Sequence, residues 1–193
     1  MLAAAKSRFA ADGYEKTTLR AIADEAGVDA AMVLYLFGSK DQLFRESLRL
    51  IIDPDVLVRA LTGTDGAGDD GAGDDIGTRM VRTYLGVWEG PDSAATMRMM
   101  LASATSNPDA LDAFRSFMQT YVLTAVSGVL GGDEQARLRA MLAASSLVGT
   151  AVLRYLIAVP PLADLPTEDV VRLVAPTVTR YLMADAAELG LPG

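Results

Sequence analysis

The chain has 193 residues and a formal net charge of −8, and it contains neither cysteine nor histidine. The absence of cysteine excludes disulfides and thiol nucleophiles, and the absence of histidine excludes an imidazole base and the commonest zinc ligand. We therefore expect no metal and no cofactor. Hydrophobic residues make up 51% of the chain and aromatic residues only 6%, which favours helices over sheets and predicts an all-α fold with a substantial core.

Two features of the sequence concern its compartment. Residues 1–9 lack the long apolar stretch of a signal peptide. The most membrane-like stretch, residues 141–159, contains Arg154 together with several serine, glycine and threonine residues, and a charge near the centre of a bilayer is costly. We therefore expect a buried helix rather than a membrane span, and a cytoplasmic protein with no membrane partner.

Four short helices are predicted within the first 50 residues. The first covers about residues 2–12 and ends at Gly13, and the second ends at Gly27, because glycine tolerates the positive φ of a helix end. The predicted caps of the second, third and fourth helices are Thr17 or Thr18, Asp29, and an S-x-x-Q capping box made by Ser39 and Gln42.

The second and third helices have the spacing of a helix-turn-helix. Ala23 allows two helices to approach, Gly27 allows a tight turn, and Val33 fills the angle between the helices. Each residue alone would be ordinary helix core, but the set favours two helices that cross steeply. The remaining residues predicted to lie in the seam are Ile22, Ala26, Val28 and Leu36.

These motifs, in this order and spacing, resemble the TetR family of bacterial transcriptional regulators. The resemblance covers about residues 2–48 and implies an N-terminal three-helix DNA-binding domain over residues 1–48. It implies a helical ligand-binding and dimerisation domain over residues 49–193, which looks like an actinobacterial-type branch. The motifs that carry the resemblance are Gly13-Tyr14, Thr17-Thr18, Ile22-Ala23, Ala26-Gly27-Val28 and Phe37-Gly38-Ser39-Lys40, with weaker matches at Arg154-Tyr155 and Val174-Ala175-Pro176.

The resemblance implies roles for several residues in DNA binding. Thr17 and Thr18 would bind one phosphate at the start of the second helix, and Lys40 would bind another at the start of the fourth. The third helix would lie in the major groove. Its base-facing residues would be Ala30, Ala31, Met32 and Leu34, with Tyr35 reaching the DNA backbone.

The predicted recognition helix has unusual chemistry. No Lys, Arg, Asn or Gln lies between Asp29 and Phe37, so bidentate hydrogen bonds to base edges are unavailable there. Specificity would have to come from contacts of alanine and methionine with thymine methyl groups, from DNA shape, or from groups outside this helix.

Beyond the first 50 residues, the chain reads as a flexible Gly/Asp loop followed by longer helices. The loop, residues 62–77, contains a tandem Gly-Ala-Gly-Asp-Asp repeat, whose carboxylates do not follow the spacing of an EF-hand calcium site. Pro176 is expected to bend or kink the last long helix. The predicted helices cover about residues 75–88, 93–106, 109–130, 133–158 and 167–184.

Aromatic and methionine side chains at helical spacing predict a pocket for a small apolar or amphipathic ligand, since methionine adapts to irregular cavities. Each of these residues could equally be ordinary core. The candidate ligand-binding residues are Tyr84, Trp88, Met97, Met100, Phe114, Phe117, Met118 and Tyr121.

The last two long helices carry two apolar stripes, which the resemblance implies form a four-helix homodimer interface, although an intramolecular role for these faces stays open. The first stripe contains Leu138, Met141, Leu142, Ser145, Val148, Gly149, Val152 and Leu156, with Ala144 and Ala151 permitting close approach. The second contains Val170, Leu173, Val174, Val178, Tyr181 and Leu182.

Together with the resemblance, these patterns predict a homodimeric, ligand-responsive transcriptional regulator, expected to be a repressor that binds a palindromic operator in double-stranded DNA and is released by a small molecule. Residues 1–50 contain seven basic and seven acidic residues, so the whole net charge of −8 lies beyond them. The alternative is a helical protein–protein interaction or adaptor domain without operator binding, which the net charge and the uncharged recognition helix favour. An enzyme is not expected, because no carboxylate pair, phosphate-binding loop or activated nucleophile is recognisable.

Overall fold

The computed structural model describes residues 1–63, 74–91 and 93–191, and all regular secondary structure in these ranges is helical, which confirms the predicted all-α fold. The predicted flexible loop falls largely on residues 64–73, which lie outside the described residues. The helices are α1 (Leu2–Lys16), α2 (Leu19–Ala26), α3 (Ala30–Phe37), α4 (Lys40–Arg49), α5 (Pro54–Thr62), α6 (Ile76–Glu89), α7 (Ala94–Ser106), α8 (Pro108–Phe117), α9 (Thr124–Val129), α10 (Glu134–Ala151), α11 (Thr167–Met183) and α12 (Ala186–Leu189).

The helices form two compact units. Unit 1 contains residues 1–53 and 89–120, and unit 2 contains the described residues between 54 and 88 and from 121 onward. In unit 1, α7 packs on α1 and α8 packs on α4, so the N-terminal helices share a core with a later part of the chain. The predicted division of function at residue 48 stays a prediction.

Three aromatic side chains hold the N-terminal helices of unit 1 together. The Phe9 ring centroid lies 4.9 Å from that of Phe44, edge to face, and 5.9 Å from that of Tyr14, with the rings stacked. Phe9 and Phe44 are fully buried. Since such pairs contribute about 0.5–1.5 kcal/mol each beyond their burial, the cluster fixes α1 against α4.

The starts of α2, α3 and α4 follow local capping chemistry, but only half of the predicted capping box forms. The Gln42 side chain interacts with Arg45 and Glu46 on its own helix rather than turning back to Ser39. The caps are Thr18, Asp29 and Ser39, whose side chains accept hydrogen bonds from the amides of Ala21 (3.1 Å), Ala31 (2.7 Å) and Gln42 (3.1 Å).

Helix α1 is longer than predicted because it resumes after a break at Gly13. That residue adopts φ 73° and ψ 173°, and the chain then continues as helix to Lys16. At the break, the amide of Tyr14 donates a hydrogen bond to Ser103 Oγ on α7, at 3.2 Å. The glycine therefore marks a kink at which α1 is tied to a second helix.

Unit 2 is organised around α10, which packs on α9 and α11. The buried face of α10 is made mostly of alanine, so neighbouring helices can approach it closely. On α6, the buried Gly77 lies close against α11, because a Cβ built there would be 2.5 Å from the Ala175 carbonyl oxygen. The buried residues of α10 are Ala136, Ala140, Ala143, Leu147 and Ala151.

The segment Glu134–Leu156 is the one described helix that is long and apolar enough to cross a membrane. Length and composition support a span only weakly, because core helices of soluble proteins meet the same criteria. Only 28% of the most apolar window is buried within the protomer. The expected burial of this helix therefore applies to one of its faces only.

Two helices predicted as continuous contain π-helical turns. The predicted helix over residues 109–130 consists of α8, a π-helical segment at Met118–Leu123, and α9. The predicted helix over residues 133–158 consists of α10 followed by a π-helical segment at Val152–Leu156. A π turn inserts one extra residue into a turn, which a search for 3.6-residue periodicity does not register. Helices α5 and α12 were not among the predicted elements.

Candidate functional site

Helices α2 and α3 form the predicted helix-turn-helix. Gly27 adopts a left-handed conformation (φ 65°, ψ 34°), and the amide of Val28 donates to the carbonyl oxygen of Ala23 at 3.0 Å. Ala23 is 1% exposed and Val33 is fully buried. Ala23, Gly27 and Val33 therefore occupy the positions in the helix-turn-helix that the sequence predicts.

Only a narrow stripe of α3 faces the protein. Val33 is buried, while Ala30 and Phe37 are half-buried. Leu36 was predicted to lie in the seam, but it is 53% exposed, so that prediction is wrong. At roughly 100° per residue, Leu36 lies about 60° from Val33, about 100° from Phe37 and about 40° from Met32, so it stands at the edge of the inward stripe on the same flank as Met32.

The outward face of α3 contains most of the predicted base-facing residues and adds one that sequence reasoning missed. Ala30 is half-buried, at the edge of the inward stripe. Leu36 lies four residues after the exposed Met32 but also three residues after the buried Val33, so its spacing alone does not assign it to either face. The exposed residues are Ala31, Met32 (48%), Leu34 (51%), Tyr35 (88%) and Leu36 (53%).

The two threonines before α2 differ in environment. Thr18 is exposed and caps the helix. Thr17 is 1% exposed, and its hydroxyl donates to the carbonyl oxygen of Gly13 at 2.7 Å. A phosphate contact through the Thr17 hydroxyl would have to break this hydrogen bond, so of the two only the Thr18 side chain lies at the surface.

Lys40 lies at the first position of α4 beside the end of α1. Its Nζ donates to the carbonyl oxygen of Glu15 at 3.2 Å and lies 4.3 Å from the centroid of the Tyr14 ring. Burial lowers the pKa of Lys40, and the carboxylates of Asp41, Asp109 and Glu15 act in the opposite direction. The Tyr14 hydroxyl donates to Asp41, and burial together with this hydrogen bond raises the pKa of Tyr14 above its usual range.

The candidate ligand-binding residues divide between the two units, and all eight are buried or half-buried. In unit 2, the Trp88 ring stacks on Tyr155 at 5.6 Å between centroids and meets Tyr84 edge to face at 6.5 Å. Burial raises the pKa of Tyr84 to about 12, and the nearby Trp88 side chain acts in the opposite direction. Tyr155 completes this aromatic group and was absent from the predicted set. The division places Tyr84, Trp88 and Tyr121 in unit 2, and Met97, Met100, Phe114, Phe117 and Met118 in unit 1.

The stripe predicted on α10 lies on the outer face of that helix, opposite the alanine face. Leu138, Leu142 and Val148 are half-buried, while Met141, Ser145 and Gly149 are exposed. An open cavity of about 810 Å³ adjoins Leu138 and Met141. Three members of this prediction differ from the rest: Ala151 is fully buried inside unit 2, and Val152 and Leu156 fall in the π-helical segment after α10.

The stripe predicted on α11 is split between two faces. Val170, Val178 and Leu182 are buried within unit 2, so the intramolecular role that the sequence left open applies to these three residues. They lie with Val171 and Ala175 on the inward face, because four- and three-residue steps keep these positions on one side. Leu173 is 62% exposed, and Val174 and Tyr181 are half-buried at the edge.

Comparisons with known proteins agree over most of the chain. Residues 1–47 match the family of bacterial regulatory proteins, tetR family, and residues 74–182 match the tetracyclin repressor-like C-terminal domain. No curated protein matches the chain.

Solved structures of regulators share the fold. A TetR-family regulator from Streptomyces coelicolor A3 is 34% identical with a TM-score of 0.59, over 94% of this chain and 91% of that chain. A transcriptional regulator from Rhodococcus sp. Rha1 is 24% identical with a TM-score of 0.52, over 94% of this chain and 93% of that chain. The multidrug binding protein EbrR, solved in complex with imidazole, is 18% identical with a TM-score of 0.59, over 96% of this chain and 89% of that chain. The last two likenesses concern the fold alone. On the domain matches and the 34% identity, the chain belongs to the TetR family, whose members are ligand-responsive DNA-binding transcription regulators and not enzymes.

Proposed function

We propose that this chain is a cytoplasmic transcriptional repressor that binds a palindromic operator as a homodimer and is released by a small apolar or amphipathic molecule. The observation that carries the proposal is the helix-turn-helix whose second helix, α3, turns five of its eight side chains outward. A helix exposed in this way fits the width of the major groove.

The surroundings of α3 favour contact with the DNA backbone. Thr18 and Ser39 cap helix starts, where amide groups and the helix dipole favour an anion. Lys16 is exposed, and the Lys40 ammonium group donates to the carbonyl oxygen of Glu15, the residue before Lys16. These groups would position α3 by binding phosphates, in the roles proposed for Thr18 and Lys40.

The proposed homodimer would set the distance between two recognition helices. A palindromic operator presents half-sites about one helical turn apart, so the dimer must hold the two helices at that separation. The outer faces of α10 and α11 are our candidates for the interface. A ligand releases the operator only if it binds more tightly to a conformer with unsuitable spacing.

A gel shift with duplexes from the DNA flanking the chain's own gene tests the proposal. We expect a shift that depends on sequence, weakens with salt and is reversed by an inducing molecule. A shuffled duplex of the same composition is the matched control. If no flanking duplex gives a salt-sensitive, sequence-dependent shift, operator binding is contradicted.

An adaptor domain is the second candidate function, and the apolar outer face of α3 favours it. Exposed apolar patches often mark protein interfaces. The same gel shift separates the two functions, because an adaptor would leave every duplex unshifted.

A further inference from the structure

The outer surface of α3 is chemically uniform. Met32, Leu34, Tyr35 and Leu36 are between 48% and 88% exposed. Between Ala30 and Phe37 the sequence contains no carboxylate, amide, ammonium or guanidinium side chain, and the Tyr35 hydroxyl is the only polar side-chain group. Whatever this helix recognises directly, it recognises mainly by apolar contact.

Met32 and Leu36 form a ridge along one flank of α3. They are four residues apart, so they lie on the same side of the helix, separated by roughly 6 Å along its axis. That separation is similar to two base-pair steps of B-form DNA, about 6.8 Å. Neither side chain belongs to the inward stripe of Val33 and Phe37, so both are available without a change in the fold of unit 1.

The groups bordering α3 favour a polyanion as the occupant of this ridge. The first turns of α2 and α4 contain one carboxylate, Asp41, which accepts a hydrogen bond from Tyr14, whereas the exposed Asp24, Glu25 and Asp29 lie at the end of α2 and the cap of α3. The exposed Lys16 and the ammonium group of Lys40 lie at the end of α1 and the start of α4. An apolar ridge with cationic groups and helix starts beside it suits the floor and walls of a DNA groove better than a wholly apolar protein surface.

The major groove offers one apolar group to such a ridge. The C5-methyl group of thymine is the apolar feature among the edges of the four standard base pairs. We propose that Met32 and Leu36 recognise thymine methyl groups, so that each half-site is read by the positions of its thymines rather than by hydrogen bonds from α3. This inference rests on the proposed binding of an operator by α3.

Replacing thymine by deoxyuridine tests the proposal directly, because it removes the methyl group and leaves base pairing and every polar group unchanged. Full-length protein first selects tight duplexes from a random-sequence pool. Each thymine of the selected duplex is then replaced singly by deoxyuridine, and Kd is measured by fluorescence anisotropy. We expect two positions in each half-site at which Kd rises about three- to tenfold, the effect of losing one buried methyl contact.

Two variants assign the methyl contacts to residues. Met32→Ala and Leu36→Ala should each abolish the deoxyuridine effect at one thymine and retain it at the other. Leu111→Ala is the matched control, since Leu111 is 41% exposed on α8 and outside the helix-turn-helix. That variant should retain the effect at both positions.

The outcomes distinguish the inference from the function on which it rests. If duplexes are enriched but no thymine is sensitive to deoxyuridine, or both variants keep full sensitivity, the methyl readout is overturned while DNA binding stands. Enrichment without any sequence preference also overturns the readout. If no duplex is enriched, both the proposed operator binding and this inference fail, and the adaptor function takes their place.

Discussion

At the scale of single residues, Lys40 combines a structural contact with a proposed contact to DNA. Its ammonium group lies over the Tyr14 ring and donates to the Glu15 carbonyl oxygen. Exposed cation–π contacts of this kind contribute about 0.5–1 kcal/mol, so a nearby phosphate can compete for the same charge. A lysine held at a helix start is thus oriented before DNA arrives.

Lys40→Ala is predicted to weaken binding to operator and non-operator DNA by a similar factor, about five- to tenfold near 0.1 M salt, because one phosphate contact is lost. The slope of log Kd against log salt should fall in magnitude by about 1. Kd for both duplexes across a salt series provides the measurement, with Lys6→Ala on α1 as the control. An unchanged slope would remove the proposed phosphate contact.

The burial of Tyr84 in unit 2 makes the free energy of unfolding depend on pH. The unfolded side chain loses its proton near the ordinary pKa of 10, whereas the folded protein keeps it up to about 12. Between these pH values the unfolded chain binds fewer protons than the folded chain, so the free energy of unfolding falls as pH rises. The loss is up to about 3 kcal/mol, and the stabilisation that Tyr84 provides is fully present only below pH 10. Tyr84→Phe should flatten the pH dependence in urea unfolding followed by Trp88 fluorescence. The same substitution at the exposed Tyr35 is the control, and identical slopes for wild type and Tyr84→Phe would contradict the prediction.

At the scale of elements, Gly77 and Gly86 lie on the same helix and make opposite predictions. A Cβ at Gly77 would lie 2.5 Å from the Ala175 carbonyl oxygen and 2.7 Å from the Thr179 amide nitrogen, whereas nothing lies within 4 Å of a Cβ at Gly86. Gly77→Ala should therefore destabilise the protein by about 1–3 kcal/mol, because α6 and α11 would have to separate. Gly86→Ala should stabilise it by about 0.5–1 kcal/mol through helix propensity. Chemical denaturation measures both, and equal effects at the two positions would show that the close approach does not matter.

The starts of α2, α3 and α4 and the end of α2 were predictable because their causes are local. Thr18, Asp29 and Ser39 bond to amides two or three residues ahead, and Gly27 needs only its own backbone freedom. The contact between Ser103 and the Tyr14 amide could not be predicted in this way, since the two residues are 89 positions apart.

The candidate site shows the same division between local and distant causes. The spacing of Ala23 and Val33 identified the helix-turn-helix, because a steep crossing constrains both residues directly. Periodicity alone could not say how much of α3 its neighbours cover, so Leu36 was assigned to the seam although it is exposed. For the same reason periodicity could not say whether Val178 on α11 packs within its own unit, where it is fully buried, or against a second subunit.

At the scale of the whole molecule, two features of the chain agree with assembly into a homodimer. The whole net charge of −8 lies beyond residue 50. A dimer formed through the later helices would therefore carry its acidic surface outside the helix-turn-helix, the part proposed to meet DNA. The outer face of α10 carries exposed or half-buried apolar side chains along several turns, which a protomer alone leaves partly in water. Isologous packing would bury the same stripe on both subunits.

Gly149 allows the proposed interface to be tested without disturbing the protomer. It is exposed on the outer face of α10, and nothing lies within 4 Å of a Cβ built there, so a large side chain fits the isolated fold. Gly149→Arg should therefore leave helicity and thermal unfolding of the protomer nearly unchanged while converting dimer to monomer, because a charged side chain would enter a close helix contact. Sedimentation equilibrium measures the mass, and Gly86→Arg, at an equally open helical glycine on α6, is the matched control that should remain dimeric.

A dimer binds two half-sites at once, and this linkage raises its affinity for the whole operator. The Gly149→Arg variant should therefore also lose about a hundredfold or more in operator affinity while binding single half-sites normally. A dimer that persists in Gly149→Arg would place the subunit contact elsewhere on the chain.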